Sequence, residues 1–320
     1  YSFESNADWS HRYPPGDEIY AYFEKTTSKY GIDKITRFDQ EIKSCNFIEG
    51  QWHIETKTGL QDQADIVIAA TGVLHVPNYP DIEGIDDFGG DIFHSARWDH
   101  NAPLDGKRVA VVGTGSTGCQ IISALSSRAA KLSHFQRTAQ WIMRVEDYEF
   151  TEEQKAQFHQ DPELLEKMRM GNPDGSFNLV GFTDAIIDPN SDTMATIEAI
   201  LLKNLQDSVK DPELYQKLLP NYRAACKRLI FSPDYYQAIQ TENTELITES
   251  IERIETKGIR TKDGVLHEYD VIALATGFKA DRFMRPMQIN GSNGVSLEQA
   301  WAKRPAAYLA ITMPNFPNFY

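Results

Sequence analysis

The stretch Arg108–Gly118, RVAVVGTGSTG, constrains this 320-residue chain more than any other part of it. A short apolar run enters the glycine turn Gly113-Thr114-Gly115-Ser116-Thr117-Gly118. The helical pattern CQIISALSS follows, and then a second apolar run, Lys131–Gln136. G-x-G-x-x-G alone is a weak signal, but between a strand and a helix with a further strand beyond it, it specifies a dinucleotide turn. Gly113 permits the tight turn, Gly115 lets a pyrophosphate approach the backbone, and Gly118 lets helix and strand pack closely. The helix N-terminus then faces the phosphates. The second run ends His134-Phe-Gln-Arg137-Thr138. An NAD site calls for an acidic residue there, whereas a guanidinium forks onto a 2′-phosphate, so Arg137 points to NADP. A surface arginine at a strand end would give the same string.

A second apolar run of the same kind occurs twice. Asp65–Gly72 (DIVIAATG) and Asp270–Phe278 (DVIALATGF) both end in small residues and a glycine. Continuous apolar runs of this length read as strands buried on both faces of a parallel sheet covered by helices. Thr71-Gly72 and Thr276-Gly277 are then exits where a ligand can approach the backbone. Around them, residues 17–30 predict a helix with Ile19, Tyr22 and Phe23 on one side, and residues 33–70 alternate as a β-meander. Asp161-Pro162 and Asp211-Pro212 are helix starts, and Met194, Ile197, Leu201 and Leu205 form an apolar helical stripe. Strands resume near Lys227–Phe231, Glu245–Thr248 and His267–Ala275. The expected fold class is α/β, with two interleaved Rossmann-like nucleotide-binding domains and an inserted helical subdomain. The boundaries expected are 1–100 for part of the first domain with the meander and a linker, 101–145 and 226–285 for the NADP domain, 146–225 for the helical insertion, and 286–320 for the return to the first domain.

Bulk properties narrow the function further. A net charge of −14 argues against nucleic acid as a partner. No apolar run reaches the about 18 residues of a membrane helix, and no secretory leader opens the chain. Cys45, Cys119 and Cys226 are far apart, which reads as reduced, mostly buried thiols in a cytoplasmic protein. The eight histidines show no metal-ligand spacing, and no nucleophile triad is evident. Tyr1 in place of methionine and the terminal NFPNFY give the expectation of an excerpt from a longer protein.

Residues 88–99, FGGDIFHSARWD, fit no simple periodicity. By composition they are a connector with aromatic anchors. Together with GTGSTG, with QRT after the second strand, and with Lys227-Arg228 ahead of Tyr235-Tyr236, however, they resemble the Baeyer–Villiger monooxygenases. The string F-x-G-x-x-x-H-x-x-x-W carries the likeness most specifically. In the related N/S-oxygenating flavin monooxygenases it ends in another aromatic.

The resemblance implies an FAD- and NADPH-dependent enzyme that uses O2 to convert a ketone to an ester or lactone through a C4a-peroxyflavin. It implies that the first nucleotide domain takes FAD, with Ile42, Thr71 and Gly72 bordering it, although Ile42 reads equally well as a meander core residue. Lys227 would join Arg137 and Thr138 at the 2′-phosphate. Arg228 would be the catalytic cation, set against the plainer account of Lys-Arg as an exposed basic pair. His94 would gate and couple the two cofactors from a connector between the domains. The chain departs from the family pattern in having no glycine turn for FAD ahead of Gly113. An N/S-oxygenating enzyme and a non-catalytic NADP-binding module remain the alternatives.

Overall fold

The computed structural model describes residues 1–170, 179–188 and 190–320. They group into two units, Tyr1–Ile32 with Tyr79–Thr276, and Asp33–Asn78 with Gly277–Tyr320.

In the first unit, β4 (Asp91–His94), β5 (Arg108–Val112), β6 (Lys131–Phe135), β9 (Thr244–Ile247) and β13 (Val271–Leu274) form a parallel sheet, ordered β4-β13-β5-β6-β9. Side chains alternate across each strand. Val109, Val111, Val271 and Ala273 therefore pack to one side, against Ile121, Ile122 and Leu125 of α2 (Ser116–Leu125) and Tyr235 and Tyr236 of α8 (Tyr235–Ala238). Ala110, Val112, Ile272 and Leu274 pack to the other. That second face departs from expectation, because it is covered by an antiparallel sheet rather than by helices. Strands β10 (Ile251–Glu255), β11 (Gly258–Thr261) and β12 (Leu266–Glu268) turn Ile254 and Ile259 inward. Arg253 and Arg260 clamp Glu255 beside them and hold its carboxyl down at about 2. At the start of the sheet, Arg108 donates from its backbone and guanidinium to Asp270, tying β5 to β13.

Residues 88–99 are not a linker. Asp91–His94 pair with Val271–Leu274 in parallel register, so the segment is an edge strand of this unit. Phe93 and Trp98 meet edge to face at 4.8 Å. A Cβ on Gly90 would lie 2.3 Å from the Asp270 carbonyl oxygen, so glycine serves a close strand approach there and not a hinge bend. The boundaries expected at 100/101 and 285/286 accordingly move to 78/79 and 276/277, with a further one at 32/33.

Helices α3 (Glu152–Gln160), α4 (Pro162–Met170), α5 (Leu179–Ile187), α6 (Asp192–Ser208) and α7 (Pro212–Leu218) fill the inserted region. Asp211 caps α7 by accepting from Leu214 N, and the stripe Met194, Ile197, Leu201, Leu205 is buried as expected. Within the expected 146–225 insertion, residues 171–178 and 189 lie outside the described residues. Alongside α6, β7 (Ile142–Arg144) pairs in parallel with β8 (Ile230–Ser232), so the strand expected from Lys227 begins three residues later. By contrast, α1 (Gly16–Lys29) buries only Thr26 and leaves Ile19 and Phe23 exposed.

In the second unit, β1 (Ile42–Ile48), β2 (Gln51–Thr56) and β3 (Gln61–Ala64) form the meander, shorter than expected, and β14 (Gln288–Asn290) joins β1 in parallel. Trp52 anchors the core, packing on Phe319 and donating from Nε1 to the Pro317 carbonyl at 2.8 Å. Leu297 of α9 (Leu297–Ala300) adds to it. Asp65–Gly72 is not buried on both faces. Val67 and Ala69 hydrogen-bond to residues 318–320 and pack inward, while Ile66 and Ile68 are 58% and 74% exposed. Among the described residues, no helix is long and apolar enough to cross a membrane.

Gly90→Ala is expected to destabilise the first unit by about 1–3 kcal/mol, read as a lowered thermal midpoint, because β4 must move off β13 to admit the methyl group.

Candidate dinucleotide site

The turn after β5 is built from backbone contacts that leave no room for side chains. Gly113 has φ 112°, and a Cβ there would lie 2.4 Å from the Ala275 carbonyl oxygen. A Cβ on Gly118 would lie 2.0 Å from the Gly113 oxygen, so α2 rests directly on the turn. Gly115 behaves oppositely. It is the exposed N-cap of α2, and nothing stands within 4 Å of where its Cβ would be. No acidic residue occupies the first turn of α2. Ser116 and Thr117 begin the helix beside this opening. The result is an accessible amide face with a positive helix end, matched to an anion.

The residue that supports the turn from behind is one the glycine pattern does not announce. His134, fully buried in β6, makes a 2.9 Å hydrogen bond from Nε2 to the Gly113 oxygen, which can only accept. Nδ1 is thereby left as acceptor, 3.1 Å from the Tyr235 hydroxyl. Burial pushes the imidazole down to about 4, against the opposing pull of the Gly113 carbonyl. The sequence signal for it is a histidine inside an apolar strand, which by itself reads as core.

Thr114 Oγ1 donates to the Thr138 carbonyl at 2.8 Å, which fixes the glycine turn to the segment after β6. Arg137, next in line, is exposed. Gln140 Nε2 also reaches the Thr138 oxygen, at 3.4 Å, and its Oε1 accepts from the Tyr222 hydroxyl at 3.0 Å. Tyr222 opens the loop that holds Lys227 and Arg228, both exposed. The Lys227 ammonium lies 4.9 Å from the centre of the Tyr222 ring. Trp141 Nε1 donates to the Tyr222 carbonyl, and Glu198 of α6 accepts from Ala224 N, so the loop is held from both sides. Thr114, Thr138, Gln140 and Tyr222 thus form one hydrogen-bonded chain from the glycine turn; Arg137 precedes Thr138 in sequence, Lys227 lies over the Tyr222 ring, and Arg228 follows Lys227.

His94 is placed differently from the connector expectation. It is fully buried, and its Nδ1 accepts from Ala96 N at 3.0 Å, closing the short turn Ser95–Arg97. In register it stands opposite Leu274, which stands opposite Val112, so it lies on the same carboxyl edge of the sheet as the glycine turn. Open α/β sheets bind ligands at that edge. Ile42, Thr71 and Gly72 belong to the second unit. Ile42 heads β1 opposite Thr56, and Thr71 and Gly72 are exposed, with open space over Gly72. Of the cysteines, Cys45 and Cys119 are buried, and burial raises their thiols to about 11 and about 12; Cys226 is exposed, unlike the other two.

The family model for flavin-binding monooxygenase-like proteins matches residues 6–155, which include the glycine turn, Arg137 and the 88–99 segment. A Mycobacterium tuberculosis protein described as an uncharacterized monooxygenase is 40% identical over the whole of this chain. Over residues 6–155 the chain is similar to flavin-binding monooxygenase-like proteins. A Baeyer–Villiger monooxygenase of Pseudomonas aeruginosa is 34% identical over 327 residues. The crystal structure of a cyclohexanone monooxygenase from Rhodococcus sp. Phi1 bound to NADP+ matches 99% of this chain and 67% of its own, with 29% identity and a TM-score of 0.85. The chain spans 64% of the mycobacterial relative and 60% of the Pseudomonas one.

One pH dependence follows from the buried imidazole of His134. His134 titrates near 4 when folded and near 6.5 when unfolded, so the unfolded state takes up the proton first as the pH falls. Its contribution is complete above pH 6.5 and is lost on acidification, about 3 kcal/mol by pH 4. Denaturation midpoints measured across that interval should fall less steeply in His134→Gln; equal slopes would rule the imidazole out as the source.

Proposed function

We propose that the protein carrying this chain is an NADPH- and O2-dependent flavoprotein monooxygenase of the Baeyer–Villiger type, with a ketone as substrate. The stoichiometry is ketone, O2, NADPH and a proton to ester or lactone, water and NADP+. The observation that carries this reading is the exposed Lys227–Arg228 pair on a loop hydrogen-bonded through Tyr222, Gln140 and Thr138 to the glycine turn. The similarity to a Baeyer–Villiger monooxygenase supports it.

The residues fit NADP(H). Gly113, Gly115 and Gly118 with Thr114, Ser116 and Thr117 would hold the pyrophosphate against the open amide face. Arg137, Thr138 and Lys227 would take the 2′-phosphate. The fit to FAD is partial: Ile42, Thr71 and Gly72 would border it, and the open space over Gly72 suits the approach of a flat group, but among the described residues these three supply no phosphate cradle. The flavin, when bound, supplies the activation of O2. Arg228 would sit where negative charge develops on the carbonyl oxygen as its carbon becomes tetrahedral. A guanidinium keeps its proton there and stabilises that charge. His94, at the carboxyl edge of the sheet, would couple the nicotinamide side to oxygenation by exchanging hydrogen bonds rather than by taking a proton from the substrate.

The test is conversion of a broad ketone panel by the full-length protein with FAD and NADPH. Ester or lactone is the expected product. In Arg228→Ala, ketone turnover should fall at least about 100-fold, with NADP+ binding retained. Oxidation of amines and sulfides with no ketone converted would sink the proposal in favour of N/S-oxygenation, and a full-length protein that binds no flavin would leave a non-catalytic NADP module.

A further inference from the structure

Several arginines elsewhere in the chain are neutralised where they sit. Arg108 pairs with Asp270 and Glu268, Arg260 with Glu255, and Arg285 with Glu298. Lys227 is held by another means. Its ammonium lies over the face of Tyr222, and the ring attracts a cation without supplying a counter-charge. A carboxylate in that place would fix the ammonium equally well but would compete with any phosphate for it. An aromatic face positions the charge and leaves it available.

The ring itself is fixed in register with the glycine turn. Its hydroxyl donates to Gln140 Oε1, and the same amide reaches the Thr138 oxygen that also accepts from Thr114. Its backbone oxygen is held by Trp141 Nε1. Burial raises the phenol above its ordinary range, which keeps the hydroxyl protonated as the donor in this chain. The site therefore joins a platform, an anchor and a cation within one unit.

We propose that Tyr222 is a positioning and specificity residue for the 2′-phosphate of NADP(H), presenting the Lys227 ammonium in register with Arg137 and Thr138. The inference rests on the reading of Lys227 and Arg137 as the 2′-phosphate cations. It adds to that reading a residue that touches no phosphate itself and that selects NADP(H) over NAD(H) through another side chain.

The experiment measures dissociation constants of NADP+ and NAD+ by calorimetry on the full-length protein. Tyr222→Leu is expected to weaken NADP+ about fivefold to tenfold, with NAD+ unchanged. Tyr222→Phe, which keeps the ring and loses the anchor, should weaken NADP+ only about twofold, with NAD+ unchanged. Tyr222→Leu combined with Lys227→Ala should be no worse than Lys227→Ala alone, since both changes remove one interaction. Equal weakening of both nucleotides by Tyr222→Leu, or full additivity in the double variant, overturns the proposal. If Tyr222→Leu does not fold, Gln140→Leu takes its place, with a loss of about twofold or more for NADP+ alone; an unchanged ratio there overturns the proposal as well. Failure of the underlying reading looks different, because Lys227→Ala and Arg137→Ala would then both leave the NADP+/NAD+ ratio unaltered.

Discussion

The first unit depends on a close approach of backbone to backbone at the carboxyl edge of its sheet. The turn after β5 lies against the Ala275 carbonyl at Gly113, and α2 lies on that turn at Gly118, with a virtual Cβ within 2.4 Å of an oxygen at each place. These contacts fix where the helix begins and therefore where its unpaired amides point. His134 completes the arrangement from beneath by donating to the Gly113 oxygen, and Tyr235 of α8 holds the imidazole in turn. The open side, at Gly115, leaves the helix amides accessible to a phosphate. An accessible anion site is thus a consequence of packing on its far side.

Electrostatics then separates the cations that hold the fold from those left exposed on the Lys227–Arg228 loop. The chain is acidic overall, with a net charge of −14, so cations near acids are readily paired. Arg108, Arg260 and Arg285 are half-buried and paired with carboxylates. The loop of Lys227 and Arg228 is held by different means: a tyrosine face, two carbonyls, an amide and a carboxylate directed at the Ala224 backbone N–H. Glu198 thereby orders the loop through a backbone group and does not quench its side chains. Because Glu198 lies on α6, the helical insertion takes part in positioning the loop as well as enclosing space.

The glycine turn was legible because each of its glycines answers a local steric demand within one strand-turn-helix. Asp211-Pro212 and the Met194–Leu205 stripe were legible for the same reason, as caps and periodicity act within a few residues. Asp65–Gly72 shares the composition of the buried strand β13, yet within these 320 residues only Val67 and Ala69 pack inward, and Ile66 and Ile68 lie open. Residues 88–99 misled, since glycines and aromatics suggest a bend, whereas Gly90 serves a strand pressed against Asp270. His134 and Tyr222 carry no local mark, because their partners lie 21 and 82 residues away.

By itself, then, the sequence determined the elements whose causes are local: the glycine turn between β5 and α2, the capped helices, and the ordered motif string that carries the family likeness. Only the tertiary structure decided which strand β4 joins, what covers the second face of the sheet, and which side chains hold the loop of Lys227. Those outcomes rest on hydrogen bonds and contacts between residues far apart in the chain, and a spacing pattern does not encode distance in space.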